Sequence, residues 1–270
     1  MKNLITRTLT AVVFCFVVLY SMMDGLGLCG LLFGLFAALG LREFYQLGAK
    51  AGAGKPFQLL GIVTGMMLYT LTYGVFANWW GVGQLAWLVF PVIAGSASWL
   101  LSKKSFPLAD LSLTWLGVIY VVFPFVLIPA LGGVSGGYDY TIPLGVILLV
   151  WANDTGAYLV GSAIGKHKLI ERLSPGKTWE GLAGAIVLTL VSAWILEEYL
   201  LESIEASWYI IALLCSIFST LGDLFESRMK RLAKVKDSGT LMPGHGGVLD
   251  RFDGLLFVIP MVYAYVVLIN

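Results

Sequence analysis

Apolar stretches of about 17 to 25 residues, separated by short polar connections, recur along the whole chain. A helix of that length crosses the hydrocarbon layer of a bilayer. The pattern predicts nine spans: 4–23, 25–41, 57–77, 82–101, 111–131, 141–164, 180–196, 207–225 and 254–269. The last covers roughly 24 Å at 1.5 Å per residue, so it begins near Asp253 or sits in locally thinned bilayer. The fold class expected is an all-α polytopic integral membrane protein with about nine transmembrane helices.

Composition agrees with the pattern. Of 270 residues, 59% are hydrophobic and 12% charged, against about a quarter charged in soluble domains. Net charge is only +1, but its placement is informative. Lys2 and Arg7 precede the first span. Arg42, Lys50 and Lys55 follow the second, and Lys103 and Lys104 the fourth. Lys166, Lys168, Arg172 and Lys177 follow the sixth. Arg228, Lys230, Arg231, Lys234, Lys236 and Arg251 follow the eighth. With nine spans all 17 basic residues fall on one side, which predicts a cytoplasmic N-terminus. Asp24, Asp139, Glu197, Glu198, Glu202 and Glu205 occupy the opposite loops. An even number of spans would break this segregation.

The first span reads as a retained anchor, because Ser21 to Asp24 makes a poor signal-peptide cleavage site. Cys15, Cys29 and Cys215 lie apart in apolar runs and read as packing residues. The lone Gly54-Lys55 lacks P-loop spacing and receives no nucleotide role. Residues 1–140 read as a scaffold region, with lipid access or interaction as its candidate role. Residues 141–270 read as the catalytic membrane region.

Three clusters carry the candidate chemistry. Asn153-Asp154-Thr155 lies about a dozen residues from either end of the sixth span. An acid at that depth costs several kcal/mol unless it is paired, hydrated or metal-bound. Asp154, Ala157, Gly161 and Gly165 share a helical stripe that turns into the protein. A hydrogen-bonded aspartate locking two helices together fits this stripe equally well. The second cluster, Ser174-Pro-Gly-Lys-Thr-Trp-Glu-Gly181, opens the seventh span. Ser174, Lys177 and Thr178 beside exposed helix N–H groups could hold an anion. An ordinary helix start with an interfacial Trp179 also accounts for it.

The third cluster runs from the end of the eighth span through the loop that follows. Ser216, Thr220, Asp223, Ser227 and Lys230 form one polar stripe. Asp250 and Asp253, three residues apart, would, if helical, share a face with Cβ atoms about 5–6 Å apart. Such a pair bridges a metal or holds two ions about 3.5–4 Å apart, and Asp223 could add a third ligand. Between them Gly244, His245, Gly246 and Gly247 form a turn whose backbone N–H groups can approach an anion. A solvated loop accounts for the lysines, but not for acids at two membrane entries flanking this turn.

These residues resemble the phosphatidate cytidylyltransferase (CDP-diacylglycerol synthase) family. The pattern reads Ser227, Lys230-Arg231, Lys236-Asp237, Pro243 to Gly247, and Asp250-Arg251-Phe252-Asp253. Gly222 to Ser227, Ser174 to Gly181, and Asn153 to Tyr158 precede it in the family's order. The resemblance covers 150–260; the N-terminal half matches only as generic spans. It implies that CTP and phosphatidic acid yield CDP-diacylglycerol and pyrophosphate at the cytoplasmic face of the cell membrane. Mg²⁺, one or two ions, is the implied cofactor, with Mn²⁺ the candidate substitute. Asp223, Asp250 and Asp253 are the expected metal ligands, and Asp154 a further candidate. Lys230, Arg231, Lys236 and Arg251 would neutralise phosphate charge. Ser174, Lys177, Thr178, Ser227 and the Gly244–Gly247 turn with His245 would contact substrate. The expected partners are the two substrates and membrane lipid, without nucleic acid. A homodimer is compatible with the chain.

The chemistry suits this inventory. A phosphate monoester has a second pKa of about 6, so the lipid phosphate is largely dianionic at neutral pH and needs no general base. Repulsion between two anions is the obstacle, and metal with Lys and Arg is the remedy. A CDP-alcohol phosphotransferase fits poorly, because Asp253-Gly254 lacks the following Ala-Arg and a later acid. A CTP-dependent polyprenol kinase is closer in chemistry but would release CDP. A transporter would spread intramembrane charge over several helices, whereas here acids and bases gather at one face.

Overall fold

The computed structural model describes residues 2–101, 108–199, 204–241 and 246–269. The candidate residues Gly244 and His245, and the loop charges Lys103, Lys104 and Glu202, lie outside them. The helices are α1 (Lys2–Asp24), α2 (Leu26–Lys50), α3 (Gln58–Phe76), α4 (Val89–Leu101), α5 (Leu108–Gly117), α6 (Phe123–Leu131), α7 (Thr141–Ile164), α8 (Trp179–Tyr199), α9 (Trp208–Leu232) and α10 (Leu249–Ile269). A short 3₁₀ turn, Val82–Leu88, leads into α4.

Eight of the helical segments among the described residues are long and apolar enough to cross a membrane. One is Leu108–Leu131, in which α5 and α6 join through a π turn at Val118–Val122. Pro124, which has no N–H, is the second residue of the tighter helix beyond it. The Thr8–Asp24 part of α1 is apolar but shorter. The segments follow the expected spans, with α2, α9 and α10 running several residues further at the polar end.

The chain forms two compact units, Met1–Ala130 with Met229–Arg251, and Leu131–Arg228 with Phe252–Asn270. In the first, Phe33, Phe44, Tyr45, Phe125 and Ile128 build a dry core. Tyr45 donates its hydroxyl to the Thr114 carbonyl at 2.7 Å, and Tyr69 does so to Gly30 at 2.7 Å. These bonds satisfy phenols that would otherwise be orphaned in an apolar interior. Asp110 accepts the Lys55 N–H at 2.7 Å, and Thr114 the Phe57 N–H at 2.9 Å, fixing the connection into α3.

In the second unit, α7 and α8 meet backbone to backbone. A Cβ added at Gly156 would lie 2.7 Å from the Gly184 carbonyl oxygen. One at Gly181 would lie 2.9 Å from the Ala157 carbonyl. Small residues permit this approach, as in other membrane helix pairs. Between the helices lies a feature the hydropathy pattern did not predict: a two-stranded antiparallel hairpin, Lys168–Ile170 (β1) and Ser174–Thr178 (β2). Ser174 to Thr178 is therefore extended, and the helix starts at Trp179. Glu180 holds the hairpin to α8, accepting the Lys166 and His167 N–H groups at 3.1 and 3.2 Å and contacting His167 Nδ1 at 2.6 Å.

Candidate active site

The second unit gathers the acids expected to matter. Gly222 of α9 and Gly254 of α10 lie beside Asp223 and Asp253. A Cβ at Gly222 would stand 3.0 Å from the Gly254 Cα and collide with the Asp253 carbonyl oxygen. A Cβ at Gly254 would collide with the Ser219 hydroxyl. The missing side chains let the two helices close, so that the Asp253 carboxylate comes within electrostatic range of Asp223 and Asp154. Glu226, fully buried on α9, hydrogen-bonds the Asp253 side chain. Asp253 also accepts its neighbour's N–H, from Gly254 at 2.8 Å.

A cavity of about 220 Å³ opens beside these acids. Asn153, Asp154, Lys177, Thr178, Thr220 and Asp223 line it. Lys177, carried by β2, reaches Asp223 Oδ2 at 2.5 Å. Asp154 is within range of Asp223 and Lys177, and it bonds the side chains of Asn153 and Ser219. Asn153 is buried, yet its Oδ1 has no hydrogen-bond partner. Ser227 donates to Asp223 Oδ1 at 3.4 Å. Thr178 is buried and spends its oxygen as a helix cap, accepting the Gly181 N–H at 3.1 Å. Its hydroxyl proton still has a donor role to fill. Ser174 sits at the start of β2, half-buried.

These residues suit a hard divalent cation. Asp154, Asp223, Asp253 and Glu226 outnumber the Lys177 ammonium, with the unpartnered Asn153 oxygen beside them. All the donors are oxygens, the preference of Mg²⁺. Among the described residues no three His, Cys, Asp or Glu side chains already cluster closely enough to cage an ion. Mg²⁺ commonly binds through one or two carboxylates, with water and substrate phosphates completing its shell.

The first unit holds the other candidates. Asp250 is enclosed by donors: Lys230 Nζ at 2.8 Å to Oδ1, and to Oδ2 the Ser238 N–H at 2.7 Å, the Ser238 hydroxyl at 2.8 Å and the Gly247 N–H at 2.8 Å. Its side chain is 6% exposed. A carboxylate offers about four lone-pair sites, so Oδ1 keeps one and Oδ2 none. Gly246 has a positive φ of 82° and lies against the Asp250 carboxylate, which a Cβ would strike. Arg231, Lys236 and Arg251 are exposed. Glu43 of α2, beyond the expected 25–41 span, is buried against Ser238, Val248 and Leu249.

Comparison with known proteins covers nearly the whole chain. Residues 5–269 match the model of the cytidylyltransferase family. A Bacillus subtilis (strain 168) protein named phosphatidate cytidylyltransferase is 32% identical over 263 residues, 97% of this chain and 96% of that protein. Proteins of the same name from Staphylococcus saprophyticus and from Staphylococcus aureus (strain COL) are each 35% identical, over 94% of this chain and 96% of theirs.

Proposed function

This chain belongs to the cytidylyltransferase family, and from that premise we propose that it is a phosphatidate cytidylyltransferase of the cell membrane. It converts CTP and phosphatidic acid into CDP-diacylglycerol and pyrophosphate, supplying phospholipid biosynthesis. An oxygen of the lipid phosphate attacks the α-phosphorus of CTP. The new P–O bond forms as the bond from that phosphorus to the β-phosphate oxygen breaks, and pyrophosphate leaves. The observation that carries this reading is the cavity in which Lys177 meets Asp223 beside Asp154. A lysine, beside acids that could hold a divalent cation, suits two anions that repel one another.

Asp223 and Asp253, with Asp154, would hold Mg²⁺, which when bound neutralises phosphate charge and eases loss of pyrophosphate. Lys177 binds a phosphate oxygen, swapping its partner Asp223 for substrate. Ser227 and the Thr178 hydroxyl donate to phosphate oxygens, and Ser174 joins them at the start of β2. Lys230, Arg231, Lys236 and Arg251 would supply positive potential for the triphosphate, with Gly244, His245, Gly246 and Gly247 as further substrate contacts. Asp250 holds Ser238 and Gly247 through its bonds to them, keeping one lone pair on Oδ1 for an ion. The segregated basic residues support an active site at the cytoplasmic face.

The test is to incubate purified protein with CTP and phosphatidic acid in mixed micelles, with Mg²⁺ or with EDTA. A liponucleotide and pyrophosphate should form in equal amounts, only with the metal, and Mn²⁺ should restore part of the rate. CDP as the nucleotide product would instead make the enzyme a kinase. Turnover undiminished in EDTA would remove the metal.

A further inference from the structure

Glu43 lies near the polar end of α2 and is 8% exposed. Its Oε1 accepts the Val248 N–H at 3.0 Å. Its Oε2 accepts the Leu249 N–H at 3.0 Å and the Ser238 hydroxyl at 3.2 Å. Gly239 and Gly247 press so close that a Cβ on either would strike the carboxylate. A single side chain thus ties together both ends of the segment from Ser238 to Leu249, about 200 residues further along the chain. Val248 and Leu249 stand where α10 begins, so a negative charge there also suits the helix dipole.

Glu43 borders a cavity of about 480 Å³ whose lining includes Arg42, Gln46, Lys50, Lys236, Ser238 and Thr240. That volume is typical of small-molecule sites. Three cations and the Asp237 carboxylate stand around it, a cationic excess, while the Glu43 charge is already engaged by backbone N–H groups and a hydroxyl. Only Leu39 and Leu241 offer apolar side chains. The lining therefore favours a polar phosphate-bearing ligand over one with acyl chains.

We propose that Glu43 is a positioning residue for the nucleotide: it fixes one wall of this cavity so that Arg42, Lys50 and Lys236 receive the CTP phosphates. The inference rests on the reading of the chain as a CTP-dependent transferase. Glu43 touches no reacting atom. Its loss therefore weakens nucleotide binding without changing the chemical step.

The experiment uses the full-length protein in micelles. Wild type is assayed first with CTP and phosphatidic acid; absence of turnover there would sink the functional reading, whatever Glu43 does. Glu43→Gln then replaces an acceptor oxygen with an amide that faces backbone N–H donors. KM for CTP should rise about tenfold, the size of one charge-assisted hydrogen bond. KM for phosphatidic acid should stay within about twofold and kcat within about threefold. Hydrogen exchange at the Val248 and Leu249 amides should accelerate, and Glu43→Asp should recover part of the CTP affinity. A rise in KM for the lipid alone, a fall in kcat alone, or unchanged KM with unchanged exchange would each overturn the proposal. If Glu43→Gln does not fold, Glu43→Asp decides. That variant keeps the charge but shortens the reach to the Val248 and Leu249 N–H groups, so a KM for CTP above wild type supports the proposal and an unchanged one refutes it.

Discussion

Asp253→Asn removes one negative charge while keeping the shape of the side chain. The amide oxygen can still accept the Gly254 N–H that the carboxylate accepts at 2.8 Å. Asp253 lies within electrostatic range of Asp223 and Asp154, so the substitution relieves like-charge repulsion in the folded chain. The thermal unfolding midpoint in detergent should therefore hold or rise. Catalysis should move the other way. Loss of one preorganised group that acts on developing phosphate charge lowers kcat by about 10²–10³-fold, or about 2.7–4 kcal/mol of barrier. The Mg²⁺ concentration giving half-maximal rate should rise as well. The assay follows labelled CTP into liponucleotide across a Mg²⁺ series, with enzyme matched for folded fraction by size-exclusion. A kcat within threefold of wild type at every Mg²⁺ concentration would refute the reasoning. So would an activity loss that simply tracks unfolded protein.

Three further substitutions separate the roles. Asp250→Asn should destabilise more than Asp253→Asn, by about 1.5–3 kcal/mol for a charged hydrogen-bond acceptor, read as a lower unfolding midpoint; equal stability would dissociate Asp250 from the turn. Gly222→Ala should push α9 from α10, since its Cβ meets the α10 backbone, and cost at least tenfold in kcat with secondary structure retained by circular dichroism; wild-type kcat would refute the close-approach argument. Lys177→Met should cost little stability, because the ion pair to Asp223 is partly exposed and such pairs contribute about 0–1 kcal/mol. It should lower kcat/KM by about 10²-fold or more, and unimpaired kcat/KM would exclude Lys177 from phosphate binding.

Much of the architecture was legible because lipid-facing helices must be long and apolar, and hydropathy reports just that. That Asp223 and Asp253 come near one another was legible too, as acids at the ends of apolar runs. What escaped depends on tertiary contact. Ser174 to Thr178 read as a helix approach, yet pairing with Lys168 to Ile170 and the Glu180 bonds to Lys166 and His167 extend it into a strand. Glu43 escaped because the span was ended at 41. The helical period in fact continues through Phe44, Tyr45, Leu47 and Gly48, all buried, and that continuation was the available signal. The four bonds on Asp250 were invisible, since nothing in the spacing shows that Ser238 folds back upon it. The mirrored Gly222-Asp223 and Asp253-Gly254 pairs were readable in hindsight as a close helix approach.

The glycine seam between α7 and α8 has a consequence for how the enzyme meets its solvent. Where carbonyls rest on Cα atoms, no rotamers remain to absorb a change of angle, so the two helices lean as a single bar. Helices answer altered hydrocarbon thickness by tilting. Asp154 rides midway along one arm of that bar, and Lys177 hangs from the hairpin joining the arms. Asp154 and Lys177 therefore travel together when the pair tilts, and the distance between them is insulated from the thickness of the surrounding hydrocarbon.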